Sequence, residues 1–186
     1  MEGHSWNDVP SEVLGQKITE DDFKNSDAMG RTPVGLFLCT CVASKPKLIN
    51  PKDESGAPAP SYWVAGLKWK IDQVLELNGK PVAEETDLAG KFIFDDIALF
   101  HENEKEAMRN RRVFVAKRLG LITKDNLDLP RNAWSDLVIG KQALVRVAER
   151  SYTKAGEKKT INAVAFDGYD FAHKATQVTA ADFSEI

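Results

Sequence analysis

Residues 62 to 77, YWVAGLKWKIDQVLEL, constrain the fold more than any other stretch. Trp63, Ala65, Leu67, Trp69 and Ile71 alternate with Tyr62, Val64, Gly66, Lys68, Lys70 and Asp72. Successive side chains on a strand point to opposite faces, so the pattern predicts one apolar face and one that is largely polar and basic. A chain built around such a strand is a sheet protein with one side turned to a core.

Other segments extend the sheet. From Thr32, TPVGLFLCTCVASKPKLI is rich in β-formers, with Gly35 marking a bend or bulge. Residues 50–61, NPKDESGAPAPS, form a surface loop, and NGKP at 78–81 marks a turn. KFIFDDIALF, Lys91 to Phe100, reads as a third strand whose two faces are both apolar, so its inward face stays open. Residues 104–120, EKEAMRNRRVFVAKRLG, carry Ala107, Phe114 and Leu121 on one helical stripe with Met108, Val115 and Leu119 beside it. Gly120 stops that helix, and Arg109, Arg111, Arg112, Lys117 and Arg118 read as its solvated face. WSDLVIGKQALVRVAERSY and KKTINAVAFDGYDF supply a fourth and a fifth strand, joined by the turn TKAGE.

Strands do not alternate with helices, which argues against a doubly wound parallel sheet. Three strands, a helix and two strands give the expectation of an all-β fold with one main helix. Its form is a five-stranded OB-like Greek-key barrel over residues 32–173, with the helix between strands 3 and 4. Residues 1–31 read as an N-terminal arm or peripheral helix and 174–186 as a C-terminal tail. Trp63, Trp69, Phe92 and Phe94 are expected in the core, where large aromatics fill a small barrel.

Of 186 residues, 42% are hydrophobic and 28% charged, the composition of an ordinary globular chain. The longest apolar run, residues 34–42, falls far short of the roughly 18 residues a membrane helix needs. The first residues lack the basic-then-apolar pattern of a secretory signal, so a cytoplasmic location is expected. Cys39 and Cys41 share strand parity, which favours two small buried hydrophobes over a disulfide. His4, His101 and His173 have no partner at ligand spacing, so no metal site and no cofactor are expected.

The net charge of −3 conceals an asymmetry: residues 104–160 hold fourteen of the 25 Lys and Arg but only seven of the 28 Asp and Glu. Arg146, Arg150 and Tyr152 share parity on the fourth strand, as do Tyr62, Lys68 and Lys70 on the second, while Lys154, Lys158 and Lys159 crown the last hairpin. Cations that neutralise phosphates beside rings on which bases stack are what single-stranded nucleic acid requires. Those nine residues are the expected binding surface. Two other functions stay open: an OB-fold adaptor that binds protein through its acidic surface, and a metal-dependent nuclease. For the nuclease, Glu157, Lys158 and Lys159 with Asp136, or Asp95 with Asp96, would be the candidates. Glu157 at a hairpin tip and two acids on opposite strand faces are poor metal geometry.

LVIGKQALVRVAERSYTKAGEKKTINAVAFDGY resembles phage-encoded single-stranded DNA-binding proteins of replication and recombination modules. Ile139, Gly140 and Lys141 take the place of their strand start, and Asn162, Val164 and Phe166 that of their last strand, with Phe166 one residue early. The resemblance implies an OB-fold that coats or handles single strands without catalysis. It also implies a tail that recruits replication or recombination proteins. Here Asp182, Phe183, Glu185 and Ile186 are a diluted match.

Overall fold

Period-two patterning resolves into a single antiparallel sheet. The computed structural model describes residues 32–53, 55–82, 86–102, 104–154 and 156–176. Its strands are β1 (Gly35–Ile49), β2 (Tyr62–Leu77), β3 (Lys80–Pro81), β4 (Phe92–Ala98), β5 (Gln142–Lys154) and β6 (Glu157–Phe171). One long helix, α1 (Glu106–Arg118), lies between β4 and β5 in the chain. β2 organises the sheet. It pairs with β1 from end to end, and its other edge takes β4 along Val64–Lys70 and β3 at Glu76 and Leu77. β1 hands the ladder to β5 over Gly35–Thr40, and β5 pairs with β6. Beyond Thr40 β1 keeps only β2 as a partner, and the two continue as an arm with β4 on the far edge of β2; Pro46 is tolerated because no strand needs its missing N–H on the open side of β1.

The expectation of five strands and a closed barrel is corrected on two points. Asn78 (φ 49°) and Gly79 (φ 78°) both adopt left-handed backbone. That makes a two-residue hairpin turn and folds Lys80–Pro81 back onto β2 as a strand of its own. Six strands therefore stand among the described residues, and the helix follows the fourth rather than the third. The sheet also stays open, since β4 and β6 exchange no ladder bonds. The edge of β4 is occupied differently: Arg111 donates to Asp96 O at 2.9 Å and Arg112 to Ala98 O at 3.1 Å. Helix arginines satisfy carbonyls that a closing strand would otherwise use.

The helix cations are thus not a uniformly solvated face. Arg112 is 8% exposed and grips Glu104 through two bonds of 2.6 and 2.9 Å. Arg118 lies between the rings of Phe114 and Phe171 and pairs with Asp170 at 3.2 Å. Val115 and Ala116 of α1, with Leu119 just past its end, seal a core of Phe37, Cys39, Cys41, Leu67, Trp69, Ile71, Val145, Val147 and Tyr169. Trp69 tilts against Tyr169 with ring centroids 5.6 Å apart.

Three aromatics expected in that core are outside it: Trp63, Phe92 and Phe94 are 52%, 40% and 66% exposed. Trp63 keeps the parity of Trp69 but lies on the arm, opposite Leu48 and past the reach of β5. On β4 the inward parity belongs to Ile93, Asp95 and Ile97, which turns both phenylalanines out. The fourth strand also begins later than its sequence suggests, because Ala133–Leu137 winds into a π-helical turn that buries Trp134. On the opposite side of the sheet, Leu36, Leu75 and Leu144 pack with Ala175. The 3-10 turn Ala172–Lys174 follows β6 directly and leads to Ala175. The N-terminal arm 1–31 and the tail residues Asp182, Phe183, Glu185 and Ile186 lie outside the described residues.

Candidate nucleic-acid interface

Strand register decides which of the expected residues meet. On the outward face Lys70 stands directly across from Phe92 and Lys68 across from Phe94. Cross-strand neighbours in an antiparallel pair have Cβ atoms only about 5 Å apart, so each lysine flanks a ring. The Lys68 ammonium lies 3.7 Å from the centroid of Phe92. One row further, Lys47 reaches Asp96 at 2.7 Å. Its path crosses Gly66, where an added Cβ would come within 2.4 Å of the Lys47 Cε, so the missing side chain admits the bridge. Lys70 also faces Thr40 on β1, and Thr40 faces Gln142 on β5. Cys39 and Cys41, two apart on β1, both point inward, where burial raises both thiol pKa values, that of Cys41 to about 11.

The remaining expected residues lie elsewhere. Arg146 pairs with Glu76 at 3.1 Å, which offsets its charge, and stands alone on β5 opposite residues 165–168 of β6. Tyr62 and Arg150 line one groove of about 740 Å³ between the start of β2, the end of β4, the middles of β5 and β6 and the start of α1. Arg111, Met108 and Phe166 line it too, while one face of the Tyr62 ring stacks on His101 at 5.3 Å. Across the β5–β6 ladder Tyr152 faces Lys159, and Lys158 faces Thr153 one position on, so the two lysines point to opposite sides of the hairpin. Lys159 has Glu157 at 3.8 Å. Lys154 pairs with Glu157 in the backbone register, and its side chain lies outside the described residues. Eight of the nine residues thus divide among a sheet face, a groove and a hairpin tip, and Arg146 stands apart from all three.

Sequence reasoning missed Phe92 and Phe94. Both faces of β4 contain an acid and apolar groups, and what breaks the tie is remote in sequence. Asp95 is turned inward to accept from Arg111 at 2.7 Å and from Tyr169 Oη at 2.7 Å. Burial raises the carboxyl pKa of Asp95 against the opposing pull of Arg111, and raises that of Tyr169 as well. Asp95 and Asp96 do point to opposite faces, each engaged by its own cation. Among the described residues no three His, Cys, Asp or Glu side chains converge in a way that could hold a metal ion. No helix there is long and apolar enough to cross a membrane.

Compared with protein-family models the sequence matches none, and it matches none of the curated proteins with which it was compared.

Proposed function

We propose that the protein binds single-stranded DNA, without catalysis, on the outward face of β2 and β4 and on the β5–β6 hairpin. One observation carries the reading: Phe92 and Phe94 are exposed side by side on β4, and each is opposed by a lysine of β2. A ring offers every base a stacking surface, and the adjoining ammonium neutralises a phosphate. In this reading the sheet is an OB-like fold that has not closed. The second and third long strands and the last hairpin are the elements with which such folds hold oligonucleotides. Lys68, Lys70, Arg150 and Lys159 then track the backbone, and Phe94, Phe92 and Tyr152 stack bases. The biological setting proposed is phage replication or recombination in the host cytoplasm.

A fluorescence titration with oligothymidine at two salt concentrations tests this. Saturable binding that weakens as salt rises, by about 0.7 in log–log slope for each phosphate neutralised, is the expected result. Absence of saturation at low salt refutes it. Incubation with Mg²⁺ or Mn²⁺ should leave the oligonucleotide intact on a gel.

The adaptor reading has its own observation. Leu48, Trp63 and Phe100 expose apolar surface around the end of the β1–β2 arm, and Leu48 and Trp63 are cross-strand partners. If a protein docks there, Trp63→Ala abolishes that docking and leaves oligonucleotide affinity unchanged.

A further inference from the structure

The outward face carries the carboxylates of Asp96, which Lys47 holds at 2.7 Å, and of Asp72, which a phosphate-binding surface does not need. Phe92, Lys70, Thr40 and Gln142 form a row across β4, β2, β1 and β5. Asp72 follows Lys70 by two residues on the same face, diagonal to Phe92 and within reach of what stacks there. Its side chain is 24% exposed. The Thr40 hydroxyl donates to Asp72 Oδ2, and the Gln142 amide approaches the same oxygen at 3.4 Å and Thr40 Oγ1 at 3.3 Å. These bonds fix the carboxylate and use up Oδ2. Oδ1 has only the Lys70 ammonium at 3.8 Å, beyond hydrogen-bond distance. Among the described residues neither Asp72 Oδ1 nor Gln142 Oε1 receives a hydrogen bond. The result is a pair of acceptors beside an aromatic stacking surface, in a region where negative charge opposes phosphate.

We propose that Asp72, assisted by Gln142, recognises the Watson–Crick edge of guanine in the bound strand. The inference rests on the single-stranded DNA reading and adds a base preference to it. In a single strand that edge is free for protein groups. Guanine presents two adjacent donors, N1–H and the N2 amino group. Adenine and cytosine offer one donor beside a ring-nitrogen acceptor, and thymine offers one donor between two carbonyls that a carboxylate repels. The two free acceptors, Asp72 Oδ1 and Gln142 Oε1, therefore favour guanine and disfavour thymine most.

The test uses the full chain in sodium buffer and competition for a labelled strand of about fifteen nucleotides. Competitors are all-thymine, the same strand with regularly spaced guanines, and that strand with inosine, which lacks the N2 amino group, in place of guanine. The expected result is guanine binding about tenfold tighter than thymine, with inosine between. Asp72→Asn should erase the preference while all-thymine affinity stays equal or rises. If Asp72→Asn does not fold, Gln142→Ala at its exposed position decides: a reduced preference supports the proposal and a full one overturns it. Equal affinity of the native protein for all three strands overturns the guanine reader and leaves single-strand binding standing. Absence of binding to any strand overturns both.

Discussion

Phe94→Ala separates stacking from folding. Phe94 is 66% exposed, so only about a third of its side chain is buried. Truncating a fully buried phenylalanine costs roughly 3 to 5 kcal/mol, which scales here to about 1 kcal/mol. In a domain of this size that lowers the melting temperature by about 2 to 4 °C. Binding should suffer as much or more. A base stacked on a ring contributes about 1 to 3 kcal/mol, so oligothymidine affinity should fall roughly 5- to 150-fold. The salt slope should not change, because no charge is removed. Equilibrium titration at two or more salt concentrations, alongside thermal unfolding, reads both quantities. Native affinity in a folded Phe94→Ala variant would refute the assignment of this face. A flattened slope would show that the ring acts by positioning Lys68 instead of by stacking.

Trp69→Ala should behave oppositely, losing about 3 to 5 kcal/mol of stability in urea or thermal unfolding, because Trp69 is fully buried against Tyr169. Changing Lys154, Lys158 and Lys159 together to Ala should weaken binding and flatten the salt slope by about 0.7 for each phosphate that is no longer neutralised, and an unchanged slope would remove the hairpin from the site. Tyr152→Ala should reduce oligonucleotide affinity by about 1 to 3 kcal/mol at constant slope, as expected for a ring beside Lys159. Glu104 supplies a pH dependence: hydrogen bonds from Arg112, then Arg109, hold its pKa down to about 2 against an ordinary 4.5. Its folded-state pKa is depressed, so its contribution is complete above about pH 4.5 and is lost as pH falls toward 2. Arg112→Met should remove that part of the acid transition, measured by unfolding midpoints between pH 2 and 6. Persistence of the full pH dependence in this variant would show that the ion pair is not its source.

The residues of β2 alone announce the sheet. Alternation over Tyr62–Leu77 turns Leu67, Trp69 and Ile71 inward and Lys68 and Lys70 outward whatever the neighbours are, because the pleat has a period of two. Turn chemistry is equally local: Asn78 and Gly79 accept left-handed backbone, and TKAGE closes the last hairpin around Gly156 (φ 81°). The long helix after β4 was legible on the same grounds, from the stripe of Ala107 and Phe114 and the stop at Gly120.

What local pattern could not reach was any choice that depends on a distant partner. Phe92 and Phe94 face outward because Asp95 is satisfied by Arg111 on the helix and by Tyr169 near the end of β6. Trp63 shares the parity of the core yet is exposed because β5 stops pairing at Thr40. Arg111 and Arg112 read as surface charges on a helix wheel, and only their arrival at the carbonyls of Asp96 and Ala98 makes them the groups that occupy the open edge of β4. The grouping of Thr40, Asp72 and Gln142 likewise exists only once β1, β2 and β5 are in register. A strand's period belongs to its own covalent geometry and is written in its own residues. Which strand end is covered, which edge is occupied and which acid finds a cation are decided between segments, where only the folded chain sets the distances.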